Sequence, residues 1–205
     1  VAGPWVLIPG SAGATASARW EMTCPEGGVG GTDARVSEAR VGVSFPGRTG
    51  SPVGPGVTVD DAVVFEGRYS GTAHGHATSF RPFLGCVPGG GGQRVPTSAP
   101  STAPVAVAAA SPLRPGQPVT VRTRTLRVTP GSLARGSLAC RRGERLLRAT
   151  TAVGLLMEAV PSAAHMRAVR VVRTTREGRV LVSATRRGLA GSIGVEVQIQ
   201  AECAR

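Results

Sequence analysis

The chain has 205 residues and a net charge of +12, with 24 arginines, no lysine, 12 acidic residues and only 3% aromatic residues. No run approaches the roughly 20 apolar residues that a membrane-spanning helix needs, so we expect no transmembrane segment. Lys and Asn are both absent, which indicates a GC-rich genome in which arginine replaces lysine, so the positive charge alone does not predict a nucleic-acid partner.

The first predicted element is a short apolar strand made of Trp5, Val6, Leu7 and Ile8, followed by a Pro-Gly-Ser turn. A similar strand and turn recur at residues 125–132. Two interpretations of the first strand stay open. It is either the first strand of its own domain or a strand that joins one subunit to the next by entering a neighbour's sheet.

Four cysteines divide the chain into two similar units. Cys24 and Cys86 are 62 residues apart, Cys140 and Cys203 are 63 apart, and each pair begins with Cys-x-x-Gly and ends in an apolar strand. Metal knuckles and thiol enzymes bring cysteines close in sequence, whereas these spacings link the ends of a domain of roughly 90 residues. The pattern predicts disulfides Cys24–Cys86 and Cys140–Cys203 and an internal duplication.

Alternating apolar and polar residues predict strands in both units, and helical periodicity is nearly absent. The predicted strands cover residues 19–24, 41–45, 57–69, 78–86, 119–128, 167–173, 179–185 and 193–203. The glycine-rich residues 27–31 are interpreted as a turn or hinge. We therefore predict an all-β fold of two tandem disulfide-stapled immunoglobulin-like β-sandwich domains related by internal duplication.

The predicted domains are residues 1–87 and 119–205, joined by a Gly- and Pro-rich linker over 88–118. Residues 1–94 hold 7 arginines and 7 acidic residues, whereas residues 114–205 hold 17 arginines and 5 acidic residues. The first domain is near-neutral and the second carries the net charge. Because the cysteines pair and the sequence starts without Met, we expect an extracellular or cell-surface protein in its mature form after signal peptide removal.

Five arginines of the second domain recur every three residues: Arg167, Arg170, Arg173, Arg176 and Arg179. This spacing predicts a basic face for anionic glycans, phosphate polymers or an acidic partner. The competing interpretation is a solvated surface whose charges prevent edge-to-edge pairing of strands. No aromatic residue interleaves with these arginines, so we expect no nucleic acid as a partner.

The sequence contains no recognisable catalytic set. It lacks the serine-hydrolase elbow, the zinc-protease helix and any Cys–His pairing. His74 and His76 have the spacing of two metal ligands on one side of a strand, but a third ligand is not apparent and a polar edge pair is the simpler interpretation. We therefore expect no catalytic residue, no metal and no cofactor.

From these features we expect a non-enzymatic extracellular structural protein, the repeating subunit of a bacterial surface filament, sheath or layer. Such a homo-oligomer or polymer would assemble by β-strand addition, with Trp5, Val6, Leu7 and Ile8 as the subunit contact. The alternative is a monomeric secreted binding module or adhesin that recognises anionic glycans or polymers through the Arg-rich second domain.

Overall fold

The structure, a computed structural model, describes residues 1–9, 16–44, 62–71, 78–87 and 119–205. Within these ranges the chain is nearly all β, which confirms the predicted class. The elements are β1 (Trp5–Ile8), β2 (Ala16–Thr23), β3 (Gly28–Val36), β4 (Val41–Ser44), β5 (Ala62–Tyr69), β6 (Thr78–Val87), β7 (Val119–Arg127), β8 (Ala134–Ala139), β9 (Arg145–Leu156), α1 (Ala163–Arg167), β10 (Val169–Arg176), β11 (Arg179–Arg186) and β12 (Gly194–Ala204).

A six-stranded antiparallel sheet, called the large sheet, runs in the order β3-β6-β1-β9-β12-β7 and contains strands from both halves of the chain. β1 is the junction, because Val6 is the register partner of Phe80 in β6 on one side and of Gly154 in β9 on the other. The division into domains 1–87 and 119–205 stays a prediction. The predicted linker 88–118 lies outside the described residues.

Two three-stranded sheets complete the fold, β2-β5-β4 and β8-β11-β10. Each half of the chain uses its strands in the same way. When the strands are counted within each half, the third, last and first lie side by side in the large sheet, as β3-β6-β1 and β9-β12-β7. The second, fifth and fourth form the small sheet, as β2-β5-β4 and β8-β11-β10. The small sheets differ in burial: residues 62–67 of β5 are all buried, whereas most of β10 is exposed.

The two hydrophobic cores lie on opposite faces of β1. Val6 and Ile8 pack into the first core, and Trp5 and Leu7 pack into the second. This division follows from strand geometry, because successive side chains point to opposite faces of a sheet. All four residues are at most 6% exposed. β1 therefore contributes to both cores at once, and the small sheets cover opposite faces of the large sheet at this point.

Both predicted disulfides are confirmed, and each joins a small sheet to the large sheet. Cys24, directly after β2, is bonded to Cys86 in β6, and Cys140, directly after β8, is bonded to Cys203 in β12. In the chain-entropy model, loops of this length contribute about 4 kcal/mol each to the free energy of unfolding. The bonds fasten the two layers within each half, and neither crosses between the halves.

The interpretation of residues 27–31 as a turn or hinge holds for Gly27, in the bend before β3, and is wrong for residues 28–31, because β3 begins at Gly28 and runs along the edge of the large sheet. The glycines instead permit close approach. A Cβ atom added at Gly30 would lie 2.8 Å from the Val87 side chain, and the register shifts between Val29 and Gly31. Such a shift is typical of a β-bulge, where a strand tolerates glycine.

We predict that a cavity on one face of β1 destabilises both halves. Leu7→Ala truncates a side chain of the second core, and we expect the free energy of unfolding to fall by about 2–5 kcal/mol. Because the halves share the large sheet, the first core should unfold in the same transition. In a Trp5→Phe background, Trp20 fluorescence reports the first core, and its guanidinium midpoint should move together with the far-ultraviolet circular dichroism.

The control is Leu133→Ala, which truncates a leucine that is 47% exposed. It should change the free energy of unfolding by no more than about 0.5 kcal/mol. If the Trp20 transition keeps its original midpoint in Leu7→Ala while the circular dichroism shifts, the two halves unfold independently and the shared sheet does not couple them.

Candidate functional site

The outer face of the small sheet β8-β11-β10 collects basic side chains; we call it the basic face. Strand alternation puts Arg170 and Arg176 of β10 on the side away from the core, together with Arg179 of β11. Arg176 and Arg179 are direct register partners next to the hairpin turn. Arg135 of β8, the partner of Ser183, lies on the same side. Four exposed arginines thus share one face.

The five arginines predicted from their three-residue spacing do not all lie together. Three residues along a strand reverse the direction of the side chain, so Arg173 lies on the opposite side of β10 from its neighbours in the series. Its Nη1 donates a hydrogen bond of 2.7 Å to the backbone oxygen of Ala149 in β9. Arg167 is the last residue of α1. The basic face keeps three of the five: Arg170, Arg176 and Arg179.

The strands of the basic face, β8, β10 and β11, contain no Asp or Glu, and Glu177 lies in the hairpin turn between Arg176 and Arg179. Like charges placed directly opposite each other destabilise a sheet, so the Arg176–Arg179 pair favours the binding of a further anion. Val172 and Leu181 lie on the same face and are 48% and 39% exposed. The face therefore combines guanidinium groups with apolar surface.

A second group of charged side chains, the buried network, lies between β2 and the large sheet. Arg19 Nε donates to Glu66 Oε2 at 2.8 Å, and Arg19 Nη1 donates to Glu202 of β12. The three side chains are at most 9% exposed. Arg68, whose side chain is 53% exposed, also donates from Nε to Glu66 Oε1 at 2.7 Å. The buried Arg19 thus links carboxylates from both halves of the chain.

Polar side chains of β7 and β12 extend the buried network along the open edge of β2. The backbone N–H of Glu21 donates to Gln198 Oε1 at 2.6 Å, and Gln198 Nε2 donates to the backbone oxygen of Glu21 at 3.0 Å. These are the two bonds that a neighbouring strand would make. Thr123 of β7 also donates to the Glu21 carboxylate at 2.6 Å. A side-chain amide therefore occupies an edge that would otherwise be free to pair with another chain.

A cleft of about 270 Å³ lies where β7, β12 and the turn after β8 meet; its lining residues are Thr120, Arg122, Arg141, Glu144, Cys203 and Arg205. Arg122 Nη2 donates to both carboxylate oxygens of Glu144, at 3.0 and 2.9 Å. The backbone N–H of Arg141 donates to the same carboxylate at 2.8 Å. This backbone bond, aided by Arg122 and opposed by burial, holds the pKa of Glu144 below its ordinary value.

Metal and histidine chemistry finds little support among the described residues. Cys140, Glu144 and Cys203 bring ligand atoms within 4.8 Å of one another, but the two sulfurs are bonded to each other and offer no thiolate. His165 Nδ1 accepts the backbone N–H of Ser162 at 3.0 Å and so caps α1. His74 and His76 lie outside the described residues.

Comparison of the chain with models of known families, with curated proteins and with solved structures finds no match. In the part of the chain that the structure describes, no helix has the length and apolar character that crossing a membrane requires. The candidate sites are therefore defined by their own geometry. They are the basic face, the buried network and the cleft.

We predict that removing the cation of the buried network is strongly destabilising. Arg19→Met leaves Glu202 buried without a cation and leaves Glu66 with Arg68 alone, so we expect a loss of about 3–5 kcal/mol in the free energy of unfolding, measured by guanidinium titration at neutral pH. The double variant Arg19→Met with Glu202→Gln should recover part of this loss, because it removes the carboxylate that has lost its partner.

The control is Arg124→Met, which removes an exposed arginine of β7. It should cost less than about 1 kcal/mol, as exposed charges usually do. A loss in Arg19→Met no larger than in this control would mean that the buried pairs contribute nothing to the junction between β2 and β12.

Proposed function

We propose that this protein is a non-enzymatic extracellular module that binds an anionic polymer through the basic face. One observation carries the proposal: Arg135, Arg170, Arg176 and Arg179 converge on one exposed face whose strands hold no carboxylate. The two disulfides support an oxidising compartment, since such bonds persist mainly outside the cytoplasm.

The chemistry of the basic face favours a polymer with repeated oxyanions. Guanidinium groups bind carboxylate, sulfate and phosphate with two parallel hydrogen bonds. Arg170 and Arg176 are six residues apart on β10, so their backbones are separated by about 20 Å, too far for one small anion to reach both. Val172 and Leu181 between them offer apolar contact for the carbon faces of a sugar ring. An acidic or sulfated glycan satisfies both requirements.

We also infer that the two halves are immunoglobulin-like units related by duplication. The identical use of strands in the two halves and the matched disulfides from the second strand to the last support this relation. The units differ in the charge of their small sheets, and only the second presents an arginine-rich outer face. In this proposal the first unit supports the fold and the second holds the ligand.

We predict that three substitutions on the basic face weaken polymer binding far more than three elsewhere. The face variant is Arg170→Gln, Arg176→Gln and Arg179→Gln in the full chain, tested on heparin and on long-chain polyphosphate over a range of NaCl concentrations. A plot of log affinity against log salt concentration has a negative slope, and its steepness should decrease by about two to three in the face variant. The reason is that each phosphate or sulfate contact releases roughly one counterion.

The matched control removes the same number of charges from exposed arginines outside the face: Arg40→Gln, Arg124→Gln and Arg127→Gln. Its affinity and salt slope should stay close to those of the unmodified protein. Equal losses in the two triple variants would show that only the net charge matters, and the basic face would then have no specific role.

A second candidate function, a repeating subunit of a surface filament, sheath or layer, is favoured by the position of β1. This strand fills a slot between β6 and β9 and is hydrogen-bonded on both edges. A second copy could fill the same slot with its own β1, and repetition of this exchange would join subunits head to tail. In the single chain the slot is filled by the protein's own β1.

A designed disulfide distinguishes the two arrangements. Leu7 and Val153 are register partners of β1 and β9, so cysteines at both positions should oxidise to a cross-strand bond. If β1 is exchanged in the native material, denaturing gels without reductant should show a ladder of linked chains that collapses on reduction. A single-chain band alone, with full oxidation of the new pair, would rule the exchange out.

A further inference from the structure

We propose that the cleft beside the Cys140–Cys203 disulfide binds one small oxyanion group, a carboxylate, sulfate or phosphate. The cleft is formed by β7, β12 and the turn that follows β8, whereas the basic face is formed by β8, β10 and β11. The proposal does not rest on polymer binding by the basic face, and the two sites can fail independently.

The first argument is an unmade hydrogen bond. Arg122 lines the cleft and uses Nη2 to hold Glu144, but its Nε–H is buried and has no hydrogen-bond partner among the described residues. A buried charged donor without an acceptor is strongly unfavourable, and such groups are rare in native structures. Because almost none of the Nε surface is accessible, an oxyanion in the cleft would reach Nε–H after a small rotation of the Arg122 side chain, and binding would then supply the missing acceptor.

The second argument is the balance of charge. Three arginines line the cleft, and Glu144 is the one acidic side chain among its lining residues. That carboxylate already accepts hydrogen bonds from Arg122 and from the backbone of Arg141, and these bonds hold its pKa below the ordinary value, so it stays ionised at neutral pH. The positive charge of Arg141 also lowers the pKa of Glu144. Three guanidinium groups therefore share one carboxylate side chain, and an excess of positive side-chain charge lines the cleft.

The third argument concerns size and rigidity. A volume of about 270 Å³ exceeds that of an inorganic oxyanion, so the group fits with a small organic substituent attached. Cys203 lines the cleft, and its bond to Cys140 fixes the start of the turn that carries Arg141 and Glu144. Because the backbone that carries Arg141 is fixed before binding, less entropy is lost there when the ligand arrives.

The experiment is calorimetric titration of the intact protein with sulfate, inorganic phosphate, acetate and, as a reference, chloride at constant ionic strength and neutral pH. We expect saturable binding of at least one oxyanion at one site per chain, and none of chloride. Arg122→Lys keeps the positive charge but removes Nε–H and the planar fork, and should weaken binding at least about tenfold. Arg141→Gln should weaken it similarly.

Arg124→Lys is the matched control, because Arg124 lies two residues along β7 on the same side of the strand. It should leave the affinity unchanged, as should the triple variant of the basic face. The proposal is overturned if no oxyanion binds saturably, or if Arg122→Lys and Arg124→Lys bind equally well. If Arg122→Lys does not fold, Arg141→Gln decides, because its side chain is exposed, and an unchanged affinity in that variant overturns the proposal.

Discussion

The shared position of β1 between the two halves is the constraint on which the rest of the structure depends. A strand of four residues makes backbone hydrogen bonds along both edges and buries side chains on both faces. Each half alone is small, and the seven aromatic residues of the chain all lie in the first half. Chains of this size bury a smaller fraction of their surface than longer ones do. By contributing to two cores at once, β1 joins the two halves in one sheet.

The buried network adds a second, more selective connection between the halves. Buried ion pairs contribute little net stability, because the loss of hydration offsets the attraction between the charges. They do penalise wrong arrangements. A shift of β2 by one residue over the large sheet would move Arg19 away from Glu66 and Glu202 and break both bonds between Gln198 and Glu21. The network therefore fixes the register in which β2 meets β12, while β1 supplies most of the burial.

The sequence predicted those features that are written in local patterns. Alternation around Cys24 and Cys203 placed both cysteines on inward faces, and their spacing gave the disulfides. The large sheet depends on pairing between β1 and β9, which are about 150 residues apart, and no local pattern reports such a contact. One signal was available, because an uninterrupted apolar run such as Trp5–Ile8 is typical of a strand buried on both faces.

The sequence predicted the basic face only in part. Arginines three residues apart on a strand point to alternating sides, so Arg173 lies away from the face. Arg135 belongs to the face because β8 pairs with β11, and this pairing is not visible in the spacing of the arginines.

The unequal burial of the two small sheets has an evolutionary consequence. β5 is buried along residues 62–67, so most substitutions there would disturb packing or leave a polar group without a partner. The outer positions of β10 and β11 contact mainly solvent, and substitutions at such positions usually change stability by less than about 0.5 kcal/mol. One architecture used twice thus leaves one half tightly constrained and the other free to vary. Across descendants of this chain, the charge pattern of the basic face can diverge while the first half keeps the fold unchanged.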